Sequence, residues 1–138
     1  MDMKKEMMRL LGEAKTIALA TDYKGRPNVR LVHFVFDPER KVLYFATFPD
    51  NDKVQEMEAN PHVAFTTVPL SGNAHVKGSG MAVKSEHTIF DVAEEFVKKV
   101  PDYEGTIASA GSELVLYEIH FDRALVTLDM AHIEMVQL

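Results

Sequence analysis

The amino-acid sequence predicts a mainly β domain, a small antiparallel barrel with helices packed on it. Short β-branched and aromatic runs recur along the chain with brief polar loops between them. Only three segments show helical periodicity, and 138 residues make a single domain spanning 1–138. Short antiparallel strands with few helices bury their faces best by closing on themselves.

The elements follow in order. Residues 3–14 predict an amphipathic helix, with Met3, Met7, Leu10, Leu11 and Ala14 on one side. Residues 16–21 predict a strand, and Gly25 and Pro27 punctuate a hairpin loop at 22–27. A second strand spans 29–36, a tight turn 37–40 and a third strand 42–47. Pro49-Asp50-Asn51 ends that strand, and either Asp50 or Asn51 can cap a helix running to about residue 60. Residues 63–68 and 75–84 predict two more strands, Gly78 and Gly80 marking a bulge or sharp coil in the latter. Residues 89–100 are helical, 101–111 read as a flexible connection or a lid, and 114–121 and 124–128 complete seven strands.

Along the second strand Arg30, Val32, Phe34 and Phe36 share one face and Val29, Leu31, His33 and Val35 the other. Neither face is plainly polar, so both are expected to be covered. Three modest helices are too few for that, which points to a symmetric dimer through the barrel wall.

Composition narrows the function classes. The chain is 46% hydrophobic and 26% charged, and 15 basic against 21 acidic residues give −6, so neither nucleic acid nor an anionic membrane is an expected partner. With no cysteine there are no disulfides or thiolate sites, which fits a reducing cytoplasm. Ala18-Leu19-Ala20 resembles a signal-peptidase site, but Arg9, Glu13 and Lys15 interrupt any apolar core before it. The six histidines never fall at i, i+4 on one helix, so no metal site is expected. Gly78-Ser79-Gly80 lacks dinucleotide-loop spacing, and Ser109 and Ser112 lack a nucleophile elbow. No side chain stands out as a catalytic acid or base.

The segment that suggests binding chemistry is 41–61. A helix start presents unpaired N–H groups and the positive end of the helix dipole, and Lys53 adds a full charge, so a phosphate fits there. Taken alone, the segment reads as an ordinary connection with a solvated lysine.

Its neighbours add a resemblance. Residues 16–65, from T-I-A-L-A-T-D-Y-K-G-R-P to E-A-N-P-H-V-A-F, resemble the pyridoxamine 5'-phosphate oxidase-like family of FMN-binding split barrels. The matching features are a turn with Gly25 and Pro27, an aliphatic strand with Arg30, Thr47 ending a strand, Lys53 opening a helix, and Asn60-Pro61 before the next strand. The run H-V-K-G-S-G-M-A-V is similar to the strand that closes the flavin site. The resemblance implies a six- to seven-stranded antiparallel split barrel, with FMN held at the interface of a homodimer. It also implies a cofactor site of Lys53 and Asn51 at the phosphate, Thr47 at a strand end against the flavin, and Arg30, Leu31 and Val32 along the flavin. Asn73 falls near a family amide, although beside Gly72 it reads better as a turn residue.

Departures from the pattern are also visible. Asp52 stands where the oxidases proper often have arginine, and Val35 where they carry a lysine near the substrate. The tail 132–138 offers no counterpart to their substrate-phosphate arginine and histidine, and the chain has no tryptophan. The resemblance therefore implies an FMN-dependent oxidoreductase acting on a small molecule or NAD(P)H, but not the vitamin B6 reaction. Non-catalytic flavin sequestration, haem binding and a deazaflavin cofactor are the alternatives.

Overall fold

A computed structural model describes residues 1–138. After helix α1 (Met3–Glu13) come strands β1 (Thr16–Tyr23), β2 (Arg26–His33), β3 (Val35–Asp37) and β4 (Val42–Thr47). Helix α2 (Asp52–Ala59) leads into β5 (His62–Thr67) and β6 (His75–Lys84). A 3₁₀ turn (Ile89–Val92), α3 (Ala93–Lys99) and α4 (Tyr103–Ala110) precede β7 (Val115–His120), β8 (Arg123–Asp129) and β9 (His132–Gln137).

The strands form one antiparallel sheet in the order β2-β1-β5-β6-β7-β4-β3, with β8 on β6 and β9 on β8. β6 is the element that splits the barrel: residues 75–78 pair with β8, and residues 81–84 pair with β7. At the changeover a Cβ on Gly80 would lie 2.0 Å from the His120 carbonyl oxygen, so only glycine lets the two strands close there. The bulge or coil expected from Gly78 and Gly80 is this change of partner.

Two apolar clusters hold the layers together. Inside the sheet, Ile17, Leu19, Leu43, Phe45, Phe65 and Ile119 pack with Met7 and Leu11 of α1 and Val54 and Met57 of α2. Outside it, Val42, Tyr44 and Leu116 lie under Ile89 and Phe96. β4 is thus buried on both faces, which is why its sequence is apolar without alternation. Lys99 ties α3 to the barrel: its Nζ donates to the Leu11 and Phe34 carbonyls at 3.0 and 3.1 Å and sits over the Phe34 ring.

The mainly β barrel with flanking helices is as expected, with four differences in detail. The predicted second strand breaks at Phe34, whose N–H donates to the Lys15 carbonyl. α1 and α3 cover Phe34 and Val35, but Val29 and Leu31 on the edge strand β2 remain 64% and 66% exposed in the single chain. Most of 101–111 is helix α4 (Tyr103–Ala110), not a flexible connection. No α4 residue is fully buried, and its apolar contact is limited to Tyr103 and Ile107, too short a stripe to reveal a helix in the sequence. The tail forms β9, anchored by the buried Val136.

A buried carboxylate fixes the turn between β3 and β4 to β7. Glu118 accepts from Arg40 Nη1 and Nη2 at 2.7 and 3.2 Å, from Ser85 Oγ at 2.6 Å, and pairs with His120 Nε2 at 2.9 Å. Burial alone would raise its pKa, but the hydrogen bonds from Arg40, Ser85 and His120 outweigh that and hold it at about 2. The stabilisation is complete above the ordinary value of 4.5 and is lost as pH falls from there toward 2. Glu118→Gln is expected to lower stability at pH 7 by about 2–3 kcal/mol, since it strands a charge-assisted network. Urea titrations should show the gap between the two proteins closing below pH 4.5.

Candidate functional site

Three of the residues singled out in the sequence meet at one end of the barrel. β4 ends at Thr47, and a four-residue loop brings the chain to α2 at Asp52. Asn51 is the N-cap: its side chain accepts from the Lys53 N–H at 3.2 Å. The cap directs the first turn so that Asp52 faces solvent while Lys53 turns inward with Val54. Lys53 is only 8% exposed, and its Nζ donates to Thr47 Oγ1 at 2.8 Å. The solvated lysine expected from the segment alone is therefore a buried one.

Arg30 arrives from the neighbouring strand pair. β2 pairs with β1 so that Arg30 lies opposite Leu19 and Asn28 opposite Thr21, on the inward face. Arg30 Nη1 donates to Thr21 Oγ1 at 2.9 Å and the Leu19 carbonyl at 3.2 Å, and Nη2 donates to Glu56 Oε1 at 2.8 Å. Burial, and then the Arg30 charge, lower the pKa of Lys53 below its usual 10.5. Lys53 and Arg30 are thus like charges held in one nearly dry place. No carboxylate bonds to Lys53.

The remaining predicted residues are not part of this cluster. Val32 packs against the barrel core, while Leu31, two-thirds exposed, points to the opposite face of the sheet. Asn73 lies in the exposed loop before β6, where its backbone carbonyl bonds His75 Nδ1 at 2.6 Å, as a turn residue would. Asn51 serves the helix as a cap, and its side chain is engaged there.

Glu56 is the cluster member that sequence reasoning missed. It carries the buried charge that Arg30 pairs with, and it also accepts long bonds from Thr21 Oγ1 at 3.4 Å and Asn28 Nδ2 at 3.4 Å. Its position three residues after Lys53, on the same side of α2, was the available signal.

The larger cavities lie elsewhere. One of about 490 Å³ opens between α1 and α3 beside Lys15, Lys98 and Lys99. Another, of about 690 Å³, lies over Ala64, Lys77, Ser79, Arg123, Leu125 and Met135 on the outer face of the sheet. This second cavity belongs to an open wall, because the strand register aligns Leu31, Ala18, Thr66, Lys77, Leu125 and Met135 in one row. No group of three or more His, Asp or Glu side chains is arranged to hold a metal ion.

Comparison with known proteins agrees with this architecture. The family model described as pyridoxamine 5'-phosphate oxidase-like matches residues 10–132. A pyridoxine/pyridoxamine 5'-phosphate oxidase of Crocosphaera subtropica is 30% identical over 82 residues, 57% of this chain but only 38% of that protein. Among solved structures, General Stress Protein 26 from Bacillus anthracis superposes over the whole of both chains, with a TM-score of 0.77 at 19% identity. A heme binding protein from Mycobacterium smegmatis superposes with a TM-score of 0.80 at 14% identity, over 99% of this chain and 58% of its own. At these identities the structures share the fold.

Lys53 makes a testable demand on stability. Lys53→Met removes a desolvated charge that no carboxylate compensates, so the ligand-free protein should be as stable or up to about 1 kcal/mol more stable at pH 7. The folded value lies below the unfolded one, so toward pH 10 the unfolded chain holds the proton longer and the wild type gains stability. In guanidinium titrations any advantage of the variant should shrink as pH rises; a loss above 1 kcal/mol would contradict the placement.

Proposed function

Because the chain belongs to the pyridoxamine 5'-phosphate oxidase-like family, we propose that it is an FMN-binding flavoprotein and a flavin-dependent oxidoreductase. The observation that carries this reading is Lys53: a buried ammonium at the start of α2 with one hydroxyl partner, beside a second cation. A lysine donates three hydrogen bonds, and the N–H groups that Thr47 does not use suit a phosphate better than any group present. The helix start adds its own N–H groups and the favourable end of the dipole.

In this reading Lys53, Thr47 and Arg30 hold the phosphate, and the backbone of Leu31 and Val32 borders the ring. The bound flavin supplies hydride or electron transfer, and the protein supplies position and exclusion of water. The vitamin B6 reaction is not part of the proposal, because Val35 is buried and apolar where substrate phosphate would need a charge. The tail that lacks a substrate-phosphate counterpart is occupied as strand β9. The substrate class is a small oxidisable molecule or NAD(P)H. The 138 residues act as one domain, and a chain without cysteine suits the cytoplasm. No helix is long and apolar enough to cross a membrane.

The open wall supports a homodimer with the flavin at its interface. Val29 and Leu31 project from it beside the smaller Ala18, Ala20 and Ala64, an apolar stretch that a second copy can cover. Sedimentation velocity is expected to give a dimer at micromolar concentration, and Leu31→Glu to give monomers; a folded wild-type monomer would refute this.

Haem binding is the second reading, favoured by the likeness to the heme binding protein from Mycobacterium smegmatis. The visible spectrum of purified protein separates the two, flavin bands against a Soret band, with the released cofactor identified by mass. Anaerobic bleaching by NADH or NADPH then separates an enzyme from a flavin carrier. Lys53→Met is expected to lower FMN affinity roughly 10- to 100-fold, the worth of one charge-assisted bond. Unchanged affinity would place the phosphate elsewhere.

A further inference from the structure

The guanidinium of Arg30 is the second cation a phosphate would need, and it is already engaged. Both of its terminal nitrogens have partners: Nη2 is bonded to Glu56, and Nη1 to Thr21 and the Leu19 carbonyl. The Glu56 carboxylate is itself nearly buried, with a side chain 10% exposed against 19% for Arg30. An arriving anion that approaches Arg30 therefore meets a carboxylate already bonded there at 2.8 Å. The formal charge of the cluster is one arginine and one lysine against one glutamate, or +1. A phosphate monoester brings about −1.5 to −2 at neutral pH.

We propose that Glu56 is a built-in competitor of the ligand's phosphate, which keeps the cofactor exchangeable by holding Arg30 in the free protein. An incoming phosphate faces two routes. It can displace Glu56 from Arg30 and leave a carboxylate to find new donors, or it can bind Lys53 with Glu56 still in place and accept like-charge repulsion. Either route weakens the phosphate's hold relative to a cluster with a neutral residue at position 56. The residues around the carboxylate make the first route feasible. Thr21 and Asn28 already reach it at 3.4 Å, long bonds that can shorten once Arg30 leaves. Glu56 thus acts on the ligand through Arg30, as a positioning residue. The inference rests on a phosphate-bearing ligand, and the flavin of the proposed function is one such ligand.

Glu56→Gln tests it, because glutamine keeps the shape and an acceptor for Arg30 while removing the charge. Binding of FMN and of riboflavin is measured by quenching of flavin fluorescence, and binding of inorganic phosphate by ³¹P line broadening, on wild type and variant. Thermal melts confirm that both proteins are folded. The expected result is a gain of roughly tenfold or more for FMN and for phosphate, with riboflavin unchanged. A gain for phosphate when neither protein binds any flavin would sustain the role of Glu56 and overturn the flavin reading alone. Unchanged, weaker or absent phosphate binding by the folded variant would overturn the inference. If Glu56→Gln does not fold, Glu56→Asp, which draws the carboxylate back from Arg30, is expected to give a smaller gain in the same direction; no gain would refute the proposal.

Discussion

A lysine and an arginine share one end of this barrel with a single carboxylate, and the arrangement depends on keeping that uneven set of charges largely out of water. Each member needs a different part of the chain to hold it. The β1–β2 register places Arg30 opposite Leu19 with its side chain within reach of Thr21, the end of β4 supplies the Thr47 hydroxyl, and the first two turns of α2 bring Lys53 and Glu56 inward together. Val54 and Met57 pack beside them into the barrel, so the apolar burial of α2 secures the polar cluster. Electrostatics alone would not: two neighbouring cations in a low-dielectric setting repel, and water would reclaim them if the helix were free to turn.

The rest of the fold can be understood as what makes that helix immovable. β4 must be apolar on both faces, because Leu43 and Phe45 face the barrel while Val42 and Tyr44 lie under the segment from Ile89 to Phe96. The Arg40–Glu118 pair pins the preceding turn to β7, and Lys99 bonds α3 to carbonyls of α1 and the break after β2. Gly80 permits β6 to leave β8 and take up β7, closing the sheet around the core on which α2 rests. The opposite wall, with Val29 and Leu31 bare, is left uncovered within a single chain.

Much of this was legible in the sequence, for physical reasons that differ by element. The strands of 16–21, 42–47 and 63–68 could be found because their burial imposes β-branched and aromatic residues between clear turn signals. Thr47, Lys53 and Arg30 emerged through order along the chain, and the structure brings those three together. The depth of Lys53 was hidden, since a lysine in a first helical turn gives no sign of which way the cap will rotate it. Glu56 was hidden for a similar reason: in Q-E-M-E it reads like its exposed neighbour Glu58. The coverage inferred for both faces of 29–36 holds in the single chain for Val32, Phe34, Val35 and Phe36 but not for Val29 and Leu31, because apolar character cannot say whether the cover belongs to the same chain. α4 and β9 escaped because one buries no residue fully and the other only Val136.

The claim on which the account turns is that Lys53 is a buried ammonium lacking an anionic partner in the free protein and receiving one from its ligand. Side-chain NMR of the Lys53 ammonium, titrated with pH in the presence and absence of FMN, measures this directly. The account predicts a pKa below the usual 10.5 in the free protein, from burial first and the Arg30 charge second, and a rise when FMN is added. A Lys53 that titrates like a solvated lysine, or whose titration does not respond to FMN, would contradict it.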